Sequence, residues 1–248
     1  MIYFTDGSKE AFLTAFLLAY HDENAYITSS QKQLVLGQES LFVQADLSRA
    51  ERAERRLLEL DKHCIEDLEL LLRSADKRRE QIAFCYLKFM TENKGPVRKM
   101  LGETAVLDAV ECIRKITFEV HRLHGFVRFL ESASGVLYAP IAPDNDIVDM
   151  LVPHFRARLP AFVLHDVPRK KAAVYDGINT FLAPLEKAEV VLSAGEEEWQ
   201  ALWKRYFKSV NIPSRERLKQ QRGYLPVRYR KFMPEFHGAA DEDDFTTL

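Results

Sequence analysis

Between residues 204 and 231 the chain carries Lys204, Arg205, Lys208, Arg215, Arg217, Lys219, Arg222, Arg228, Arg230 and Lys231 against one acid, Glu216. Lysine and arginine neutralise phosphates and release their counterions. The interleaved Tyr206, Phe207, Tyr224, Tyr229 and Phe232 supply flat faces on which unpaired bases stack. Both halves of a nucleic-acid surface therefore occur in one segment, and the whole-chain formal charge of −2 conceals it because charge is unevenly distributed. The competing reading is a solvated basic face whose aromatic members anchor it to a core. For the stripe Trp199, Leu202, Trp203, Tyr206 and Val210 the helical spacing predicts a core-facing placement.

A second set, Asp144, Asn145, Asp146, His154, His165, Asp166 and Arg169, gathers near the ends of predicted strands. Carboxylates and imidazoles are acid–base and metal-ligand groups, so Asp144, His154, His165, Asp166 and Arg169 are the candidate catalytic residues. Against that, Asp144 or Asp146 suits a helix N-cap, and His154 follows Leu151 by three on an apolar helical face, where burial is expected. His121 and His124 stand at i, i+3 with no third ligand, so no metal and no cofactor is assigned. The chain contains no GxGxxG, P-loop, CxxxCxxC, HExxH or GxSxG, which argues against a nucleotide-driven motor or a self-contained radical enzyme.

The elements that must position these residues follow from hydrophobic period. Residues 2–5 read as a strand, Asp6-Gly7 as a turn, and Ser8 as the cap of a helix bearing Phe12, Phe16, Ala19 and Tyr20. Residues 34–36 and 41–45 read as two short strands around Gly37. From 48 to 124 the period is helical. Leu58, Ile65, Leu68 and Leu72 share one face, Ile82, Cys85, Tyr86, Phe89 and Met90 a second, and Val106, Val110, Ile113, Thr117 and Val120 a third. Breaks fall at 74–76 and at Gly95-Pro96.

After Gly125 the runs 126–130, 136–141, 161–167 and 172–175 are rich in β-branched and aromatic residues, and Asp176-Gly177 predicts a hairpin to 178–182. A helix over 146–158 interrupts them, with Ile147, Met150, Leu151 and Phe155 inward. Ser193 and Glu196 form a capping-box pattern opening the last helix. The expected fold is α+β. An antiparallel or mixed sheet at about residues 125–185 packs with helices, preceded by a helical segment and followed by a C-terminal helix and basic arm. The expected divisions are 1–124, a strand-helix opening with a helical lobe; 125–210, a sheet lobe with its closing helix; 211–238, the arm; and 239–248, an acidic disordered tail.

With 248 residues, 47% of them apolar and 29% charged, the chain can bury a core unaided by disulfides or metals. Cys64, Cys85 and Cys112 show neither CxxC nor Cys/His spacing and read as buried apolar fillers. No signal-like leader and no apolar run of membrane-spanning length is present, which predicts a cytoplasmic protein with no membrane partner.

The opening 3–7, GFVRF (125–129), APDND (142–146), PHF (153–155), HDVPRKKAAVYDG (165–177), and WKRYFKSVNIPSR with LPVRYRKFMPE inside 203–235 resemble a bacterial family. That family is described as DNA-metabolism or DNA-repair proteins of unknown activity, encoded beside a radical-SAM protein thought to act on DNA and sometimes fused to a uracil-DNA glycosylase-like domain. The chain departs from it by Phe4-Thr5 between the tyrosine and Asp-Gly, and by Arg217 and Arg230 where relatives often carry asparagine and tryptophan. The resemblance transfers no catalytic residue. Taken with the arm, it implies an accessory DNA-binding protein in repair or modification, with a radical-SAM enzyme as partner. The binding residues would be the ten basic positions named above together with Tyr229. An enzyme using the Asp/His set, and a structural subunit whose arm binds an acidic protein, are the alternatives.

Overall fold

Strand β1 (Ile2–Phe4) passes through Asp6 and Gly7 into helix α1 (Lys9–Ala19). The Asp6 carboxylate accepts from the Ser8 N–H at 2.8 Å, Gly7 takes a φ of +87° that favours glycine, and Ser8 Oγ accepts from the Ala11 N–H at 3.1 Å. The expected strand-turn-helix opening is therefore present. β1 lies between β2 (Tyr26–Thr28) and β3 (Ser40–Phe42) in a three-stranded parallel sheet. β3 is all that forms of the strand expected at 41–45.

Helices α2 (Leu47–Leu60), α3 (Cys64–Leu72), α4 (Arg79–Glu92) and α5 (Thr104–Phe126) follow. The first expected helix is divided at Asp61, whose N–H bonds back to the Leu57 carbonyl while its carboxylate accepts from the His63 N–H. The register of α2 buries Leu57 and leaves Leu58 exposed, against the expected inward placement of Leu58. Cys64 and Cys112 are buried and Cys85 half-buried, and burial pushes the Cys64 thiol up to about 12.

The structure, a computed structural model, describes residues 1–31, 39–212, 214, 217, 220 and 223–236. They form two units, Met1–Phe118 and Glu119–Leu248, divided within α5. The expected strand at 34–36, the arm residues Arg215, Lys219 and Arg222, and the acidic tail at 239–248 lie outside the described residues.

The second unit holds the sheet β4-β5-β6-β7-β8: β4 (Leu130–Glu131), β5 (Leu137–Ile141), β6 (Phe162–Asp166), β7 (Lys171–Tyr175) and β8 (Thr180–Pro184). β5 and β6 are parallel through helix α6 (Val148–Arg156), and the other pairs are antiparallel, so the sheet is mixed and the fold α+β. Residues 126–129 are not strand, because α5 runs on to Phe126. The hairpin forms with a longer loop than a two-residue turn. Asp176 accepts from the N–H groups of both Ile178 and Asn179, Gly177 sits at φ +101°, and pairing resumes at Tyr175↔Thr180. A Cβ at Gly177 would lie 3.0 Å from the Pro160 carbonyl, a second reason for glycine there. Helices α7 (Glu196–Val210) and α8 (Val227–Arg230) and a 3-10 turn (Pro234–Phe236) follow among the described residues. Among the described residues no helix is long and apolar enough to cross a membrane.

Candidate nucleic-acid interface

The second unit is organised on a carboxylate that sequence reading passed over. Glu119 lies three residues after Ile116 and four before Leu123, both buried, so the helical period turns it inward; that spacing was the available signal. Its Oε1 accepts from the Tyr229 hydroxyl (2.5 Å), the Asp144 N–H (2.8 Å) and Arg228 Nη2 (3.2 Å). Its Oε2 accepts from the Asn145 N–H (2.9 Å) and side-chain amide (2.7 Å). Burial pushes the Glu119 carboxyl up, but the hydrogen bonds from Tyr229, Asp144 and Asn145 outweigh it and hold the group below the ordinary range. The APDND loop is thereby tied to α5 and α8.

That network redefines two arm residues. Tyr229 is only 3% exposed and is not available for base stacking; its hydroxyl is committed to Glu119. Arg228 pairs with Asp144 at 2.5 Å as well as with Glu119, and lies over the Tyr229 ring. Arg230 lies over Phe236, with Nε and Nη2 buried and without a hydrogen-bond partner, and Phe232 is buried. Lys231 is exposed over the Phe232 ring.

The candidate catalytic residues do not assemble into one reactive group. His165 is fully buried. Its Nε2 faces the Leu185 carbonyl at 2.9 Å and so carries the proton, leaving Nδ1 to accept from the Tyr138 hydroxyl at 2.7 Å. Burial pushes the His165 imidazole below its ordinary value against the opposing carbonyl, and pushes Tyr138 up to about 12. Asp166 is buried and receives the Arg169 guanidinium at 3.2 Å; burial raises its carboxyl despite that charge. Arg169 also donates to the carbonyls of Pro143 and Asp144, and Asp146 pairs with Lys171. Neither Asp144 nor Asp146 caps α6, whose N-cap position is Ile147 with no side-chain cap. Among the described residues no three metal-ligating side chains cluster.

His154 is half-buried and stands apart from this set. Its ring stacks on His124 at 4.1 Å and 8°, edge-on to Phe155, and Nε2 of both histidines is buried without a hydrogen-bond partner. Burial lowers both imidazoles; His154, His121 and Arg158 add to the effect at His124, and Arg158 at His154. A histidine lowered in the fold stabilises above its unfolded value, and that stability is lost as pH falls. Urea unfolding between about pH 7.5 and 5 should therefore show a falling midpoint, and His154→Phe, which keeps a ring without the titration, should flatten the decline. An equally steep decline in that variant would remove the pair as its cause.

A cleft of about 360 Å³ opens between the β4–β5 edge and α7. Residues 191–193 run beside 131–133 and place α7: the Ala133 N–H donates to the Val191 carbonyl and the Ser193 N–H to the Glu131 carbonyl. The expected capping box does not form. Ser193 Oγ donates to the Glu131 carboxylate, and the buried Glu196 accepts from the Glu131 N–H at 2.9 Å and from Gln200 Nε2 at 3.1 Å, with Gly195 at the N-cap. Arg128 reaches Glu235 at 2.7 Å, donates to the Gly125 and Val127 carbonyls, and lies 5.0 Å from the Trp203 ring centre. Glu235 is buried, with its Oε2 unpartnered.

The stripe of α7 is not core-facing. Trp199 is 63% exposed, Tyr206 54% and Trp203 36%, with Leu202 and Val210 also exposed, and Glu196 is the only buried residue of the helix. Arg205 and Lys208 are exposed on the same helix, Lys204 is half-buried, and Arg217 and Tyr224 are exposed beyond it. Among the described aromatic residues of α7 and the arm, Trp199, Tyr206 and Tyr224 are thus the most open to a ligand, and Tyr229 and Phe232 are closed off.

The family described as a domain of unknown function, DUF4130, matches residues 77–235. The chain belongs to this family. The DUF4130 match begins just ahead of α4 and takes in the Glu119 network, the cleft and α7, leaving β1 to α3 outside it. No curated protein and no solved structure matches the chain. Within the DUF4130 region, GFVRF supplies Arg128, APDND the Glu119-bound loop, and the C-terminal segments Trp203, Arg228, Tyr229 and Glu235. Sequence reading gave no role to Glu119, Arg128, Glu131, Gln200 and Glu235, and read Glu196 only as a helix cap, because single charged or amide groups on amphipathic segments look like solvated positions until a partner is seen.

Proposed function

We propose that this DUF4130 protein is an accessory nucleic-acid-binding protein of a DNA repair or modification pathway, acting in the cytoplasm beside a radical-SAM enzyme. The partner and the pathway rest on the family resemblance alone. The observation that carries the binding reading is α7 itself: Trp199 and Tyr206 are exposed, with Trp203 between them partly covered by Arg128, on the helix that also bears Lys204, Arg205 and Lys208. Exposed rings beside cations suit unpaired bases flanked by phosphates, whereas duplex DNA keeps its bases stacked and out of reach. Single-stranded DNA is therefore the favoured ligand. The Asp/His enzyme reading has less support, since His165 and Asp166 are buried with committed partners.

Trp199 and Trp203 are the only tryptophans in the chain, so intrinsic emission reports on this helix directly. Addition of a short single strand should quench it in a salt-sensitive way, with duplex of the same sequence weaker. Tyr206→Ala should lower single-strand affinity roughly tenfold without unfolding the protein, the loss expected of one stacking platform. Quenching that is absent at low salt, or equal for duplex and single strand, would defeat this assignment.

A further inference from the structure

We infer that the cleft beside α7 receives one unpaired nucleobase carrying an N–H donor edge; this rests on the single-strand reading above and assigns that surface a specific pocket. The cleft's apolar lining is Phe129, Leu130, Leu137 and Pro234, with Trp199 and Trp203 from α7. Its volume lies in the range of sites that enclose small ring systems.

The polar lining decides between an anionic and a neutral ligand. Among the described residues Arg128 is the one cation lining the cleft, and it is already neutralised by Glu235 and held by two backbone carbonyls. Glu131 and Glu196 line the cleft as well and would repel a phosphate or carboxylate. The cleft therefore suits a flat uncharged group with donors, and the phosphates on either side fall to the cations of α7. Gln200 supplies a reading edge. Glu196 is buried and, as a carboxylate, only accepts, so the Gln200 amide must turn its NH₂ toward it, as the 3.1 Å contact records. One N–H and the carbonyl oxygen of Gln200 remain for a ligand, the donor–acceptor pair by which a side-chain amide reads a base edge.

A thymidine strand carrying a single 2-aminopurine and an end label gives two readouts: label anisotropy reports strand binding, and 2-aminopurine emission reports stacking of that base. The expected result is several-fold quenching of 2-aminopurine on saturation. Gln200→Leu and, separately, Trp199→Ala should weaken this strand roughly tenfold and restore the emission, while a fully abasic strand of the same length binds parent and Gln200→Leu equally. Trp199 is mostly exposed, so its variant stays folded if Gln200→Leu does not. Strand binding with unquenched 2-aminopurine, or quenching untouched by both variants, overturns the pocket and leaves the single-strand reading standing. No anisotropy change with any strand overturns both.

Discussion

Glu119→Ala should destabilise the protein by about 3–5 kcal/mol in urea unfolding, the largest loss expected from any single substitution of a charged residue here. The magnitude follows from what the carboxylate leaves behind. The Asp144 and Asn145 N–H groups, the Asn145 amide, the Tyr229 hydroxyl and the Arg228 guanidinium all lose their acceptor, and buried donors without acceptors are costly. Tyr229→Phe removes one donor and keeps the ring, so about 1–2 kcal/mol is expected. Because the folded-state carboxyl is held low, its contribution is complete above the ordinary glutamate value of about 4.3 and is lost as pH falls through the lower folded value. The stability difference between parent and Glu119→Ala should therefore shrink in strongly acid solution. If the alanine variant unfolds with the parent at neutral pH, the network does not hold the unit together.

Replacing Arg205, Lys208 and Arg217 together by alanine should lower the slope of log affinity against log salt for a single strand by about 2, since each neutralised phosphate contributes about 0.7. All three side chains are exposed, so thermal stability should be unchanged. Arg228→Ala is the contrasting variant: it belongs to the Glu119 network and should cost stability while leaving the slope nearly unaltered. A triple variant with the parent's slope, or an Arg228 variant that alone flattens it, would put the phosphate contacts elsewhere than on α7 and the residues just after it.

Much of the secondary structure was legible because its signals are local. Ser8 and Asp6 declare the turn into α1 through side chains that reach backbone two or three residues away, and Asp176-Gly177 declares the hairpin because few residues accept the backbone that turn needs. Helical period likewise marked α4, α5 and α6, whose inward residues recur at fixed spacing.

What tertiary structure alone decided is which surfaces are covered and which polar groups are paired. The stripe on α7 has the spacing of a buried face, yet packing covers Glu196 and leaves Trp199 and Tyr206 open. Tyr229, which by type and charge context belonged to a stacking platform, closes on Glu119 from 110 positions away. The Ser193–Glu196 pattern, sufficient for a capping box in isolation, was captured by Glu131 across the sheet edge. The sequence by itself determined many of the elements, the α+β class and the charge of the basic arm, since backbone propensity and side-chain period act within a few residues; β2 and the break at Asp61 escaped it. The carboxylate hub, the cleft and the identity of the exposed rings required the fold, because a polar group's partner and a ring's exposure depend on chain segments that only packing brings together.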